Sequence, residues 1–291
     1  MVEKQKTIEK EITFHGIGVH SGNDVTVVLR PNLSKTGIVF WTRQFPEERV
    51  VVGHMVPEVA MHATVIKQNH WILSTIEHLM AALCLLGVDH VEVEVDGFEV
   101  PILDGSAFSF VQGILDVGLL DLEEPRRFIT PRQMITLGDN QGRSIELNPA
   151  GMHNVTGQPD CGLYVEYTAE FNNPAIGTAY FNKQITRDIF IHDIAPARTF
   201  GFLEQLPMLR QHGLAKGSSL GNTVVICHDD FLNEPRFEDE CIRHKILDLL
   251  GDVALLGKPF AGTIKAHKTG HSFNRLIVEH YLKNQALWTE I

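Results

Sequence analysis

Several common building materials are scarce in this 291-residue sequence. It has four cysteines, at positions 84, 161, 227 and 241, without paired metal-binding spacing and too few for a disulfide scaffold. No apolar run approaches the ~20 residues of a membrane-spanning helix, the nearest being residues 80–88. The start, MVEKQKTIEKE, lacks the apolar core of a signal peptide, so a cytoplasmic protein without stable membrane insertion is expected. Basic residues are outnumbered, 25 Lys and Arg against 36 Asp and Glu, a net charge of −11. That balance argues against a nucleic-acid binder held by a basic face. Low-complexity segments, a clear internal repeat and the two-histidine metalloprotease motif are missing too. What remains is an ordinary globular composition, 44% hydrophobic and 21% charged, long enough for one large domain or two of about 150 residues. The unusual abundance is histidine. Fifteen of them in an acidic chain point towards metal or proton chemistry, beside ordinary surface positions.

Residues 24–30 (DVTVVLR) and 37–41 (GIVFW) read as strands, rich in β-branched and aromatic residues between Gly, Asn and Pro. Residues 74–86 switch to helical period, with Ile76, Leu79, Met80, Leu83 and Leu86 on one face and Gly87 as the stop. Residues 89–96 alternate strictly. A second helix follows the Asp104-Gly105-Ser106 turn, with Phe108, Val111 and Leu115 expected inward. Charge and two prolines concentrate in residues 122–133, the expected linker. Strands resume at 144–147, 163–171 and 223–227, a long helix covers 236–256, and a strand at 261–266 ends in a polar Lys-Thr-Gly-His loop. Strands then helices in each half predict an α+β fold of two domains, residues 1–124 and 125–291.

Three places could carry chemistry. On the long helix, Cys241, His244, Lys245, Asp248 and Asp252 share one sector opposite the apolar stripe. His244 and Asp248, four apart, can reach one point, which suits a metal as well as a solvated polar face. Residues 74–78 (STIEH) combine Glu77 and His78 at a helix start. The same letters also spell a capping box, in which Glu77 would only satisfy the amide of Ser74. His271 follows a glycine and could point into a cleft from a loop, or sit on an ordinary surface turn. Two further motifs fail on context. Residues 217–221 (GSSLG) match the serine-hydrolase elbow around Ser219, but a strand follows where a helix is needed. Residues 16–22 (GIGVHSG) resemble a dinucleotide loop, yet they lead into a strand.

Taken in order, GIGVHSG, STIEHLMAAL (74–83), VPILDGSA (100–107), ARTFGF (197–202), RFEDECIRHKILDLLGD (236–252) and GHSFN (270–274) resemble the UDP-3-O-acyl-N-acetylglucosamine deacetylase family, LpxC, over about residues 5 to 285. The resemblance implies two α+β domains, each a sheet with two helices, and an active site between them. It implies one zinc ion per chain held by His78, His244 and Asp248 with an open fourth position, a donor set that also suits iron(II). Glu77 would be the general base, and His271 would protonate the leaving amine or stabilise the oxyanion. Asp252 would orient His271, and the Thr199 hydroxyl would meet the oxyanion. Lys245 and Lys268 would meet substrate oxygens or phosphates, Phe171 and Glu170 the uracil, and Arg143 the diphosphate. Phe200, with Phe202, Leu203, Leu206 and Leu209, would line a passage for the acyl chain. The implied partner is an acylated UDP-amino sugar in lipid A synthesis of Gram-negative bacteria, handled by a monomer that binds no nucleic acid. Ser218, Pro207 and Ala63 depart from the common pattern, Pro207 with the prospect of kinking its helix. The rival classes are a serine hydrolase using Ser219 and a non-catalytic zinc protein.

Overall fold

Val91, Val93 and Val95 are buried on one face of their strand, while Glu92, Glu94 and Asp96 share the other, where Glu94 is covered by Arg30 and Arg43; such ladders need helices on the apolar face. The computed structural model describes residues 3–152 and 160–291. In chain order the first half carries β1 (Lys4–Ile8), β2 (Ile12–Ile17), β3 (Asp24–Pro31), β4 (Ile38–Thr42) and β5 (Phe45–Val51). A small sheet of β6 (Glu58–Ala60), β7 (Ala63–Lys67) and β8 (Ile72–Ser74) comes next. Then follow α1 (Glu77–Leu86), β9 (Val91–Asp96), α2 (Phe108–Val117) and β10 (Leu119–Pro125). The second half opens with β11 (Ile129–Pro131), β12 (Ile135–Gly138), β13 (Ser144–Asn148), β14 (Leu163–Glu170) and β15 (Thr178–Gln184). It continues with a short α3 (Arg187–Ile189), β16 (Phe200–Phe202), α4 (Leu206–Gln211) and β17 (Val224–Ile226). The last elements are α5 (Glu240–Ala254), β18 (Gly262–His267), α6 (His271–Lys283) and β19 (Trp288–Glu290).

The α+β expectation holds, and the two halves repeat one wiring. The first main sheet runs β2-β3-β9-β4-β5 and the second β12-β13-β18-β14-β15. In each, the last strand in chain order lies in the centre, antiparallel to one neighbour and parallel to the other. A helix precedes and a helix follows that central strand, so α1 corresponds to α5 and α2 to α6. No similarity between the two halves is legible in the sequence. One continuous apolar core spans both sheets and the helices between them. Among the described residues, no helix is long and apolar enough to cross a membrane.

Local details differ from the sequence reading. The expected linker is ordered chain: its start belongs to β10, which pairs with β1, and its end to β11, which pairs with β19. Between them Arg126 is buried against Asp89 and Glu3, and donates to the carbonyl of Cys84. The inward face of α2 is Phe110, Val111 and Ile114, with Phe108 and Leu115 only half-buried. Phe171 falls just beyond β14. Pro207 stands in the first turn of α4 and starts that short helix, where a missing N–H costs nothing, so it makes no kink.

Candidate active site and metal centre

The capping-box reading of residues 74–78 fails. Ser74 ends β8, and α1 begins only at Glu77 without a side-chain cap. The chain turns between the two at Thr75, a non-glycine residue at φ +59°. Glu77 is thereby released from capping, and its Oε2 accepts the backbone N–H of Thr64 on β7 at 3.1 Å. The second helix, α5, is buried on nearly every side instead of having a solvated face. The two helices touch at Gly251, where a Cβ would sit 2.1 Å from the carbonyl oxygen of Glu77. That close crossing sets the first turn of α1 against the C-terminal part of α5.

The crossing brings the three expected ligands together. The Nε2 atoms of His78 and His244 lie 3.7 and 3.4 Å from Asp248 Oδ1. One donor atom from each residue falls within 4.8 Å of the others. The Nδ1 of His244 donates to the carbonyl of Ala197 at 3.0 Å, so its Nε2 presents a lone pair to the cluster. Asp248 Oδ1 is buried and has no hydrogen-bond partner. A buried carboxylate oxygen facing two imidazole nitrogens, without a proton donor to satisfy it, fits a bound divalent cation.

His271 packs against the ligand helix beside that cluster, within reach of Glu77, Asp248 and Asp252. It is the first residue of α6 and not part of a loop. Its Nδ1 lies 2.9 Å from Asp252 Oδ2, and its Nε2 lies 3.8 Å from both Glu77 Oε1 and Asp248 Oδ2. Burial raises the Glu77 carboxyl to about 7, with His271 and His78 opposing the shift. Burial pushes His244 down to about 4. Burial also works against the ionised Asp248, yet the imidazoles of His244, His271 and His78 keep it well below the usual carboxylate range. For His271 burial disfavours the cation, and the carboxylates of Asp252, Glu77 and Asp248 outweigh it and raise the imidazole to about 10. The Lys245 ammonium is lowered by burial, against the pull of Asp248 and Asp252. These groups face a cavity of about 470 Å³ whose walls come from both halves of the chain, including His20, Glu77, Thr199, Phe200, Lys245 and His271. Opposed shifts among packed titratable groups in one cavity are the mark of a reactive site.

A family model described as LpxC, UDP-3-O-acyl N-acetylglycosamine deacetylase, matches residues 5–283. The chain belongs to the LpxC family. Curated relatives named UDP-3-O-acyl-N-acetylglucosamine deacetylase align over almost its whole length. The protein of Syntrophotalea carbinolica is 40% identical over 98% of this chain and 89% of its own. That of Geotalea uraniireducens is 37% identical over 98% and 90%, and that of Haemophilus influenzae 35% over 98% and 92%.

The hydrogen bonds of the glycine-rich GIGVHSG segment give it a role different from a nucleotide loop. The buried carboxylate of Glu99 accepts the backbone N–H groups of His20 and Ser21, the Ser21 hydroxyl and the Thr75 hydroxyl. Gly18 makes room for it, since a Cβ there would lie 2.0 Å from Glu99 Oε2. The wrapped loop presents His20 to the cavity, with its Nδ1 buried and unpartnered.

The residues expected to contact substrate separate into two groups. Thr199, Phe200 and Lys245 line the cavity. Phe171 packs against Phe200, ring centroids 5.7 Å apart, and Phe202 and Leu209 extend the same wall. Lys268, Glu170 and Arg143 are not among the lining residues. Lys268 pairs with Glu170 at 2.6 Å, and Arg143 pairs with Asp139 and covers the ring of Phe273. Of the three basic residues expected to meet the substrate, Lys245, Lys268 and Arg143, Lys245 alone lines the cavity. Ser219 sits exposed in a turn, its N–H donating to Asn222 Oδ1, while its neighbour Ser218 lines the cavity. The sequence reading missed Thr64 and Asn274, both buried against Asp252. A threonine inside the apolar run of β7 and an asparagine three residues after His271 were the available signals.

Proposed function

We propose that this chain removes acetate from the amide of UDP-3-O-acyl-N-acetylglucosamine, a step of lipid A synthesis, with one zinc ion held by His78, His244 and Asp248. The observation that carries the chemistry is the convergence of those three donors, with Asp248 Oδ1 buried and lacking a hydrogen-bond partner, beside Glu77 and His271. The substrate class comes from the names of the relatives, each matched over nearly its whole length. A zinc ion in that donor set supplies Lewis acidity for an amide carbonyl and acidifies water. Glu77 takes the proton of the attacking water at Oε1, the oxygen left over once Oε2 holds the Thr64 amide. His271 delivers a proton from Nε2 to the departing amine, its Nδ1 being committed to Asp252. Thr199 is fixed by two backbone hydrogen bonds, to Gly105 of the first half and to Val224, and offers its hydroxyl to the developing oxyanion. Lys245 contributes positive charge for the anionic sugar nucleotide. Phe200, Phe202 and Leu209 take the acyl chain, and Phe171 supports them from behind.

Substrate contacts by Lys268, Glu170 and Arg143 belong to the same proposal and require the nucleotide to extend beyond the cavity. We assign residues 1–124 and 125–291 to the two units, with the site completed inside one chain acting as a monomer. The chain works in the cytoplasm, where nucleotide sugars are made. The test is metal analysis combined with acetate release from the acylated UDP-sugar, with and without a chelator. One equivalent of zinc and chelator-sensitive release are expected. Glu77→Ala should keep the zinc and lose about 10²- to 10⁴-fold in turnover, the usual worth of a general base. Release that survives chelation but disappears in Ser219→Ala would instead establish the serine-hydrolase class.

A further inference from the structure

Thr64 is 1% exposed and lies at the start of β7, in the first half of the chain. Its backbone N–H holds Glu77 Oε2. Its hydroxyl meets Asp252 Oδ1 and lies 3.0 Å from His271 Nδ1, both in the second half. A hydroxyl has only one proton to give, and the carboxylate of Asp252 can only accept. The other Asp252 oxygen receives Asn274 Nδ2 and His271 Nδ1, each at 2.9 Å. The arrangement closes in one way. Thr64 donates to Asp252, and His271 donates from Nδ1 to both Asp252 and the Thr64 oxygen. Nδ1 then always carries hydrogen, and Nε2 is the nitrogen that faces Glu77 and Asp248.

We propose that Thr64 is a positioning residue that couples the two proton-transfer groups across the halves of the molecule. Its main chain aims Glu77, and its side chain fixes the tautomer and ring plane of His271 through Asp252. The inference rests on the acid–base reading of Glu77 and His271 given above. A valine at this position keeps the shape and the backbone N–H but removes the hydroxyl, while a serine keeps the hydroxyl. In the metal-loaded full chain, Thr64→Val should lower kcat for acetate release about 10- to 100-fold, the scale of a misplaced reacting group, with KM and zinc content unchanged. Thr64→Ser should recover most of that loss. The combination Thr64→Val with Asp252→Asn should fall little below the worse single variant, because both act on one imidazole. The inference is overturned if Thr64→Val retains wild-type kcat. It is equally overturned if Thr64→Ser loses as much kcat as Thr64→Val with a matching fall in melting temperature, which marks packing alone. Glu77→Ala and His271→Ala measured alongside separate the two levels. If those variants keep full turnover, the acid–base reading itself fails. If they are inactive and Thr64→Val is not impaired, only the role of Thr64 fails.

Discussion

Glu77, Glu99 and Asp252 are each at most 3% exposed, and each meets the cost of burying a carboxylate differently. Asp252 is saturated by Thr64, His271 and Asn274. Glu99 is saturated by two backbone amides and two hydroxyls. Glu77 keeps one oxygen without such a donor, and that oxygen faces His271. The difference separates structural carboxylates from a reactive one. Replacing Glu99 by Ala should leave the amides of His20 and Ser21 unpaired and cost about 1–3 kcal/mol in denaturant unfolding, the penalty for orphaned buried donors. A wild-type unfolding midpoint in that variant would refute the brace. Part of this scale was legible in the sequence: His244 and Asp248 four apart, and Glu77 beside His78, raised a metal site as one of two readings, and the family resemblance turned them into expected ligands and base. Glu99 and Thr64 were not, because every partner they hold lies far away along the chain, and spacing carries no information about contacts made through tertiary structure.

The crossing of α1 and α5 is the element on which the site depends. Gly251→Ala would drive a Cβ against the Glu77 carbonyl, a backbone atom that cannot swing aside. Overpacking of this kind costs about 1–3 kcal/mol, and here it should also weaken zinc retention, since His78 follows Glu77 directly. Unchanged zinc content and stability would show that the helices part freely. A second device ties β1 to the start of β9. Neutral His90 accepts the Gly37 N–H at Nδ1 and bonds Gln5 through Nε2, both at 2.9 Å. Burial lowers its pKa, Lys35 adds to the effect and Asp89 opposes it. With the folded value below the unfolded one of 6.5, stability is complete above that pH and is lost as pH falls through the folded value. Melting temperature should therefore fall between pH 7.5 and 5, and His90→Gln should flatten that dependence while lowering stability at neutral pH. The sequence anticipated β3, β4, β9, β13, β14, β17 and β18 with α1, α2 and α5, but it read the start of α6 as a loop, and helix starts were placed early, three residues early for α1 and four for α5. Polar N-terminal letters resemble caps, whereas the true starts are set by Thr75 and by packing.

At the scale of the molecule, two sheets of identical wiring share one core, and the proposed cation lies where their equivalent helices meet. His78 comes from one half, His244 and Asp248 from the other, so metal binding adds to the cohesion between them. Chelation should lower the melting temperature and zinc should restore it, by the linkage that a site present only in the folded state imposes. His78→Ala should abolish most of that difference. A melting temperature indifferent to the metal would mean that the halves are fixed without it. Two halves of sheet and helices were expected, but their shared strand order was not legible in the sequence, because a fold is specified by which strands pair, and very different side chains satisfy the same pairing order. The repetition has a consequence for measurement. A site whose donors ride on two like bodies works as a vernier: a slide of one body against the other too small to alter either body's own packing still changes the angles at a single ion. Cobalt placed in that position, read by its visible absorption, would therefore gauge the alignment of the two halves as the acylated sugar nucleotide enters and leaves.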